Sequence, residues 1–181
     1  MRCHHAAVPD TWITPEMAAL TGAELGTQTS FPIAASDIRR WAVALYAPTA
    51  PPRLFWDEEY AATTRHGGIV APEEFNPFAW MAASGPPEEL ESFDAGASGQ
   101  AVERLLGFEA PATSNVLNGG MEVEYGVRMR PGDVITSVRR HGGYSERTGR
   151  LGLMLFTTFD TEWTNQHGEW VKTVHGISIR Y

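Results

Sequence analysis

The residues best suited to move protons lie in one short stretch. His66 stands beside Gly67-Gly68, and Glu73 and Glu74 follow closely. A histidine titrates near neutrality and a carboxylate serves as a base, so this grouping suits general acid–base chemistry. Each residue also has a plainer role. A histidine at a helix C-terminus, or two glutamates at a helix start, complement the helix dipole. Asp57 is a further candidate acid or base, and it equally suits an N-cap ahead of Glu58-Glu59-Tyr60. Cys3 and His4-His5 are metal-ligand types. Adjacent side chains in an extended arm point apart and the chain has one cysteine, so no metal site is expected. Arg128, Arg130, Arg139 and Arg140 suit phosphate recognition or a solvated strand face. Neighbours on a strand face opposite ways, so Arg139 and Arg140 cannot share one side. Trp56, Ile69, Phe78 and Trp80 are apolar and serve equally as pocket lining or as core.

These residues are carried by a chain of 181 residues, long enough for one domain with a real core. Hydrophobic residues make up 43% and charged residues 20%, a globular composition. The net charge of −8 argues against a nucleic-acid partner. No stretch approaches the roughly 18 apolar residues of a membrane span. The start, Met1-Arg2-Cys3-His4-His5-Ala6, has no apolar core of a secretory signal, so a cytoplasmic location is expected.

The patterning predicts an arm over 1–27 with a short helix opened by Thr14-Pro15-Glu16, then a strand over 29–33. A second helix opens at Ser36-Asp37, with Ile38, Trp41, Ala42 and Leu45 on one face, and stops before Pro48. Residues 47–56 are proline-rich, and a short helix follows over 57–62. A third helix, apolar on most sides, is expected over 73–83. A long loop runs over 84–117, with one helical turn near 100–106. The last third alternates with period two and predicts strands over 121–130, 134–140, 151–163 and 170–181, as an antiparallel meander. Asn165-Gln166-His167-Gly168 reads as a hairpin turn. The fold class is therefore α+β, a curled antiparallel sheet around one apolar helix.

Over residues 28–181 this arrangement resembles the hot-dog fold, and specifically the N-terminal-type branch of the MaoC-like hydratase/dehydratase family. The segments that carry the resemblance are Phe31-Pro32-Ile33, Ile38-Arg39-Arg40-Trp41-Ala42, and Trp56-Asp57-Glu58-Glu59-Tyr60-Ala61. Gly68-Ile69-Val70-Ala71-Pro72, Asn118-Gly119-Gly120, Arg130-Pro131-Gly132-Asp133, Gly149-Arg150-Leu151-Gly152 and Thr164-Asn165-Gln166 complete the set. The resemblance implies addition of water to an enoyl thioester, or its removal from a 3-hydroxyacyl thioester. The acyl carrier is coenzyme A or acyl carrier protein, and no other cofactor is implied. In the family an Asp and a His five residues later hold the water, in the pattern Asp-x-Asn-Pro-x-His-x-Asp. Anchored on Asp57, those two positions fall on Ala50 and Phe55, which carry no proton. The turn before the central helix, Ala71-Pro72-Glu73, lacks the family's histidine too.

The resemblance therefore implies a hydratase or dehydratase subunit that shapes the acyl pocket while a second hot-dog subunit supplies Asp and His. Bulky fatty or steroid side-chain acyl groups are the substrates this implies. A heteromer is favoured over a homodimer. Two other functions fit the same residues: a non-catalytic acyl-thioester binding module, or a thioesterase that uses Glu73 with water. Trp56, Ile69, Pro72, Phe78, Trp80, Asn118 and Gly119 are the expected substrate contacts. Glu73, His66 and Asp57 are the residual catalytic candidates.

Overall fold

The computed structural model describes residues 10–79 and 101–181. Helix α1 (Pro15–Ala18) starts as the sequence predicts, with the Thr14 hydroxyl accepting from the Met17 N–H at 3.2 Å. Strand β1 (Glu24–Thr29) comes earlier than expected and takes in residues assigned to the arm. Residues 30–33 instead hook onto a turn further along the chain. Ser30 N–H donates to the Ile135 carbonyl at 2.8 Å and Ile33 N–H to that of Asp133 at 2.9 Å. Pro32, between them, has no N–H to offer a ladder.

Helix α2 (Ala35–Tyr46) buries Ile38 and Ala42 completely, one turn apart, while Leu45 stays exposed. The proline-rich stretch holds a single 3₁₀ turn, Arg53–Phe55. Helix α3 (Glu58–Ala62) is capped by Asp57, whose Oδ1 accepts from the Tyr60 N–H at 3.0 Å. The helix expected over 73–83 is not present over 72–79. That stretch makes isolated turns, with Phe75 N–H bonded to the Pro72 carbonyl and Ala79 N–H to that of Asn76. Pro77 is the reason. It supplies no N–H, and its ring drives Asn76 out of the helical region. Residues 80–83 of that expected helix lie outside the described residues, as does the first half of the expected loop over 84–117. Helix α4 (Ala101–Leu105) matches the helical turn expected near 100–106.

Strands β2 (Val116–Tyr125), β3 (Thr136–Gly149), β4 (Gly152–Thr164) and β5 (Trp170–Arg180) complete one antiparallel sheet of order β1-β3-β4-β5-β2. Only β3–β4–β5 form a meander. β2 crosses to the far edge and pairs with β5, not with β3. The crossing begins at Gly126. A Cβ there would meet the Trp170 carbonyl oxygen at 2.3 Å, and its N–H bonds the Val171 carbonyl. The chain leaves the ladder at that point and passes under the sheet end, where Met129 enters the core.

Two turns of the motif set interlock beneath this crossing. Asp133 Oδ2 accepts from the Arg130 N–H at 2.7 Å, and Gln166 Oε1 accepts from the Val134 N–H at 2.9 Å. The main core, with Ile38, Ala42, Phe55, Val70, Phe75, Ile135 and Trp163, lies between α2, the 69–75 segment and this end of the sheet. Leu155, Thr157, Phe159, Thr161 and Trp163 alternate onto the inner face of β4, as a period of two requires.

Candidate functional site

Two clefts flank the 71–78 segment. The first is a groove of about 540 Å³ on the inner face of the sheet. Phe78, Phe159, Trp163 and Val174 give it an apolar lining, and Gln28, Asn76, Ser137 and Arg139 are among its polar members. Phe78 meets Trp163 edge-on, with ring centroids 5.0 Å apart. The Arg139 guanidinium lies 4.2 Å from the Phe159 ring centre, and burial lowers its pKa. As strand alternation demands, its neighbour Arg140 takes the other face, opposite Glu24 on β1 and Asp160 on β4. Beside the groove Lys172 is only 6% exposed, with Nζ 3.9 Å from the Trp163 ring. Burial pushes its pKa down to about 8.

The second cleft, about 590 Å³, is polar and includes Arg65, His66, Glu73, Arg128, Arg130 and His167. The structure thus brings two sequence candidates, His66 and Glu73, into one cleft. Neither is free. Glu73 Oε1 accepts from Arg128 Nη1 at 2.7 Å. His66 Nε2 accepts from Arg65 Nε at 3.3 Å. Burial, then the charges of Arg65, Arg128 and Arg130, push the His66 pKa below its ordinary value, so the ring is neutral at neutral pH. Asp57 is elsewhere. Its carboxylate caps α3 and accepts from Arg53 Nε at 2.8 Å, and these two partners hold its pKa below the ordinary carboxylate value.

The remaining expected contacts are dispersed. Ile69 and Pro72 are core residues. Trp56 is 39% exposed and donates Nε1 to the Pro51 carbonyl at 3.1 Å. Asn118 and Gly119 form a bulge on β2 opposite Ile177, where a Cβ on Gly119 would come within 2.7 Å of the Ile177 side chain. Trp80 lies outside the described residues. Ala50 is exposed, whereas Phe55 is core and packs on Tyr46 with ring centroids 5.9 Å apart. Among the described residues, no group of three or more His, Cys, Asp or Glu is placed to hold a metal ion. Nor is any helix there long and apolar enough to cross a membrane.

A third polar cluster escaped the sequence reading. Under α4, Arg180 donates to Glu103 at 2.5 and 3.1 Å, and both residues are fully buried. The Tyr144 hydroxyl donates to Glu103 Oε1 at 2.8 Å, and burial, followed by that hydrogen bond, raises its pKa. His141 stacks 4.3 Å from Tyr144 with neither ring nitrogen hydrogen-bonded, and burial lowers its pKa. The period of β5 was the available signal, since it sets Lys172, Val174, Gly176, Ser178 and Arg180 on one face.

The family described as "FAS1-like, dehydratase domain region" matches residues 19–174 of the chain. No curated protein matches the sequence. Among solved structures, the chain is similar to a MaoC-like dehydratase from Rhodospirillum rubrum, at 18% identity and a TM-score of 0.52, covering 89% of this chain and 92% of that one. It is similar to the ChsH1-ChsH2 complex from Mycobacterium tuberculosis, at 16% identity and a TM-score of 0.63, over 92% and 87% of the two chains. It is also similar to the HadBC (3R-hydroxyacyl-ACP dehydratase) complex from the same organism, at 15% identity and a TM-score of 0.53, over 88% and 96%. At such identities the likeness is one of fold, the hot-dog fold.

Proposed function

Because the chain belongs to the FAS1-like dehydratase-domain family of MaoC-like hot-dog proteins, we propose that it is the pocket-shaping subunit of an enoyl-thioester hydratase or 3-hydroxyacyl-thioester dehydratase, with the Asp/His pair supplied by a second hot-dog subunit. One observation carries the proposal. The positions of the family's acid–base pair hold Ala50, exposed and inert, and Phe55, packed in the core. A residue buried as Phe55 is serves packing and has no proton to transfer. The candidate carboxylate Glu73 is bound to Arg128, which weakens the thioesterase reading. The complexes ChsH1-ChsH2 and HadBC among the similar structures support a shared site.

The inner-face groove is the acyl pocket in this reading. Its volume of about 540 Å³ falls in the usual range for ligand pockets, roughly 300–1,000 Å³. Phe78 and Trp163 form its wall, and the acyl group is bulky and carried on coenzyme A. The geometry of the reaction follows: this subunit excludes water from the chain, and the partner places one water on the double bond.

Purified alone, the chain should hydrate enoyl-CoA at well under the roughly 1 s⁻¹ that marks the low end of common enzymes. Co-purified with a hot-dog protein of its host that carries Asp-x₄-His, it should support turnover. A homomer turning over at ordinary enzyme rates would overturn the proposal. So would a partner enzyme whose activity on bulky acyl thioesters is unchanged by the chain.

A further inference from the structure

On the inner face of the sheet one arginine stands without a counter-charge. The period of β3 puts Arg139 inside and Arg140 outside, where Glu24 and Asp160 lie opposite Arg140. Arg139 has no such company. Its partners in register are Gly26 on β1 and Thr161 on β4, and its guanidinium rests on the Phe159 ring. A charged side chain is seldom kept in a largely apolar setting without a partner. We propose that Arg139 binds a carboxylate on the acyl group, so that the thioester this groove accepts is a carboxyacyl thioester with its acid end away from the sulfur.

The balance of charge favours an anion. A second cavity of about 370 Å³ continues from the groove past Arg139 and Phe159 to the β2 edge. Among the described residues, no carboxylate lines either cavity. Two other cations of the inner face have carboxylates of their own. Arg180 is paired with Glu103, and Glu74 acts on Lys172 through space. The donors also suit the ligand. The hydroxyls of Ser137 and Thr161 stand beside the guanidinium on the same face, with no hydrogen bond to the described residues. A guanidinium fork flanked by hydroxyls can satisfy both oxygens of a carboxylate.

There is room for it at the same place. The Phe159 ring covers one side of the guanidinium, and the residue is otherwise exposed to the groove. Gly26 and Gly176 line the groove, and a Cβ on either would meet nothing within 4 Å. Arg139 lies three strands in from β2, about 14 Å at the usual strand spacing. An acyl chain entering from that edge therefore brings its far end, not its thioester, to the guanidinium. The assignment to a thioester rests on the proposed function; the carboxylate subsite does not.

The test is calorimetry on the full chain with two N-acetylcysteamine thioesters of equal length. One is the decanoyl thioester, and the other is the decanedioyl half-thioester, which ends in a carboxylate. Neither carries a phosphate, so only the acyl ends are compared. The carboxylate should bind about tenfold more tightly, the worth of one charged hydrogen bond, and its advantage should shrink as salt is raised. Arg139→Met should remove the advantage and leave binding of the decanoyl thioester unchanged. Arg139→Lys should keep part of it, because a point charge remains without the fork. Gly176→Val fills open space in the groove and should weaken both thioesters alike. The ratio of the two affinities is a readout that a merely structural role of Arg139 would not move. Equal binding of the two thioesters, binding of neither, an advantage that survives Arg139→Met, or indifference of both to Gly176→Val would overturn the proposal. None of these measurements needs a partner subunit or turnover. A complex that turns over plain and carboxyacyl thioesters alike refutes the carboxylate subsite and leaves the hydratase reading standing. A chain that prefers the carboxylate through Arg139 but supports no turnover with its partner does the reverse.

Discussion

Lys172 shows how one side chain records the character of the inner face. It is the only lysine in the chain. Its ammonium lies over Trp163, with the Glu73 carbonyl at 3.5 Å and the Glu74 carboxylate acting on it through space. The ring face attracts a cation, yet loss of hydration outweighs it, and the pKa falls from 10.5 to about 8. The sign of the stability effect follows. Between pH 8 and 10.5 the unfolded chain holds a proton that the folded chain has shed, so folding stability rises with pH in that window. The contribution is up to about 1.4 kcal/mol per pH unit, the full value for one proton. Lys172→Met should remove it. Urea midpoints at two alkaline pH values, compared between wild type and variant, measure it. Equal pH dependences would show that the amine is solvated in the folded protein.

At the scale of elements, α4 is a five-residue helix that packing, not propensity, must hold in place. The buried Glu103–Arg180 pair is the visible attachment to β5. Removing one partner leaves a buried charge unpaired, which costs about 3–5 kcal/mol. Glu103→Gln or Arg180→Met should therefore unfold the chain at much lower denaturant. The double variant Glu103→Leu/Arg180→Met should recover most of the loss, because an apolar pair carries no such penalty. Chemical denaturation of the three variants decides it, and a double variant no better than either single one would refute the pin. Such tertiary pairs explain what was and was not legible in the sequence. Thr14 and Asp57 act through neighbours a turn away, so both caps were readable. The alternation of β3, β4 and β5 likewise follows from local period. Pro77 is a local signal against the 73–83 helix, and the apolar run around it points the other way. The crossing of β2 to the far edge was not readable, because it depends on Gly126 meeting Trp170 across the sheet. Of the polar cleft, His66, Glu73, Arg128 and Arg130 are nameable from the sequence by type, as are the inert Ala50 and Phe55, whereas the convergence of those four with Arg65 comes through folding alone.

The whole molecule presents two unlike surfaces, and they decide how it associates. One row crosses the outer face of the sheet in register: Glu24, Arg140, Asp160, His175 and Glu122, one residue from each strand. Within it, His175 Nδ1 and Asp160 lie 2.6 Å apart, and that hydrogen bond raises the histidine pKa. A face so charged is stable in water and has no need of cover. The free edge at β2 is different. Val116, Leu117 and Met121 are exposed there, Met121 by 66%, beside a row of backbone groups that no strand among the described residues pairs. An apolar, unpaired edge is the usual place for strand-to-strand joining. The second hot-dog subunit of the proposed enzyme is therefore expected along β2, extending the sheet, in an interface well above the roughly 1,000 Å² of a specific contact. Met121→Glu should break this assembly while leaving the monomer folded, since the side chain is two-thirds exposed. Joining through the outer row would instead be sensitive to Arg140→Glu and indifferent to Met121. Sedimentation of the chain with its Asp-x₄-His partner, run for both variants, separates the two. A complex that tolerates Met121→Glu would remove β2 from the interface.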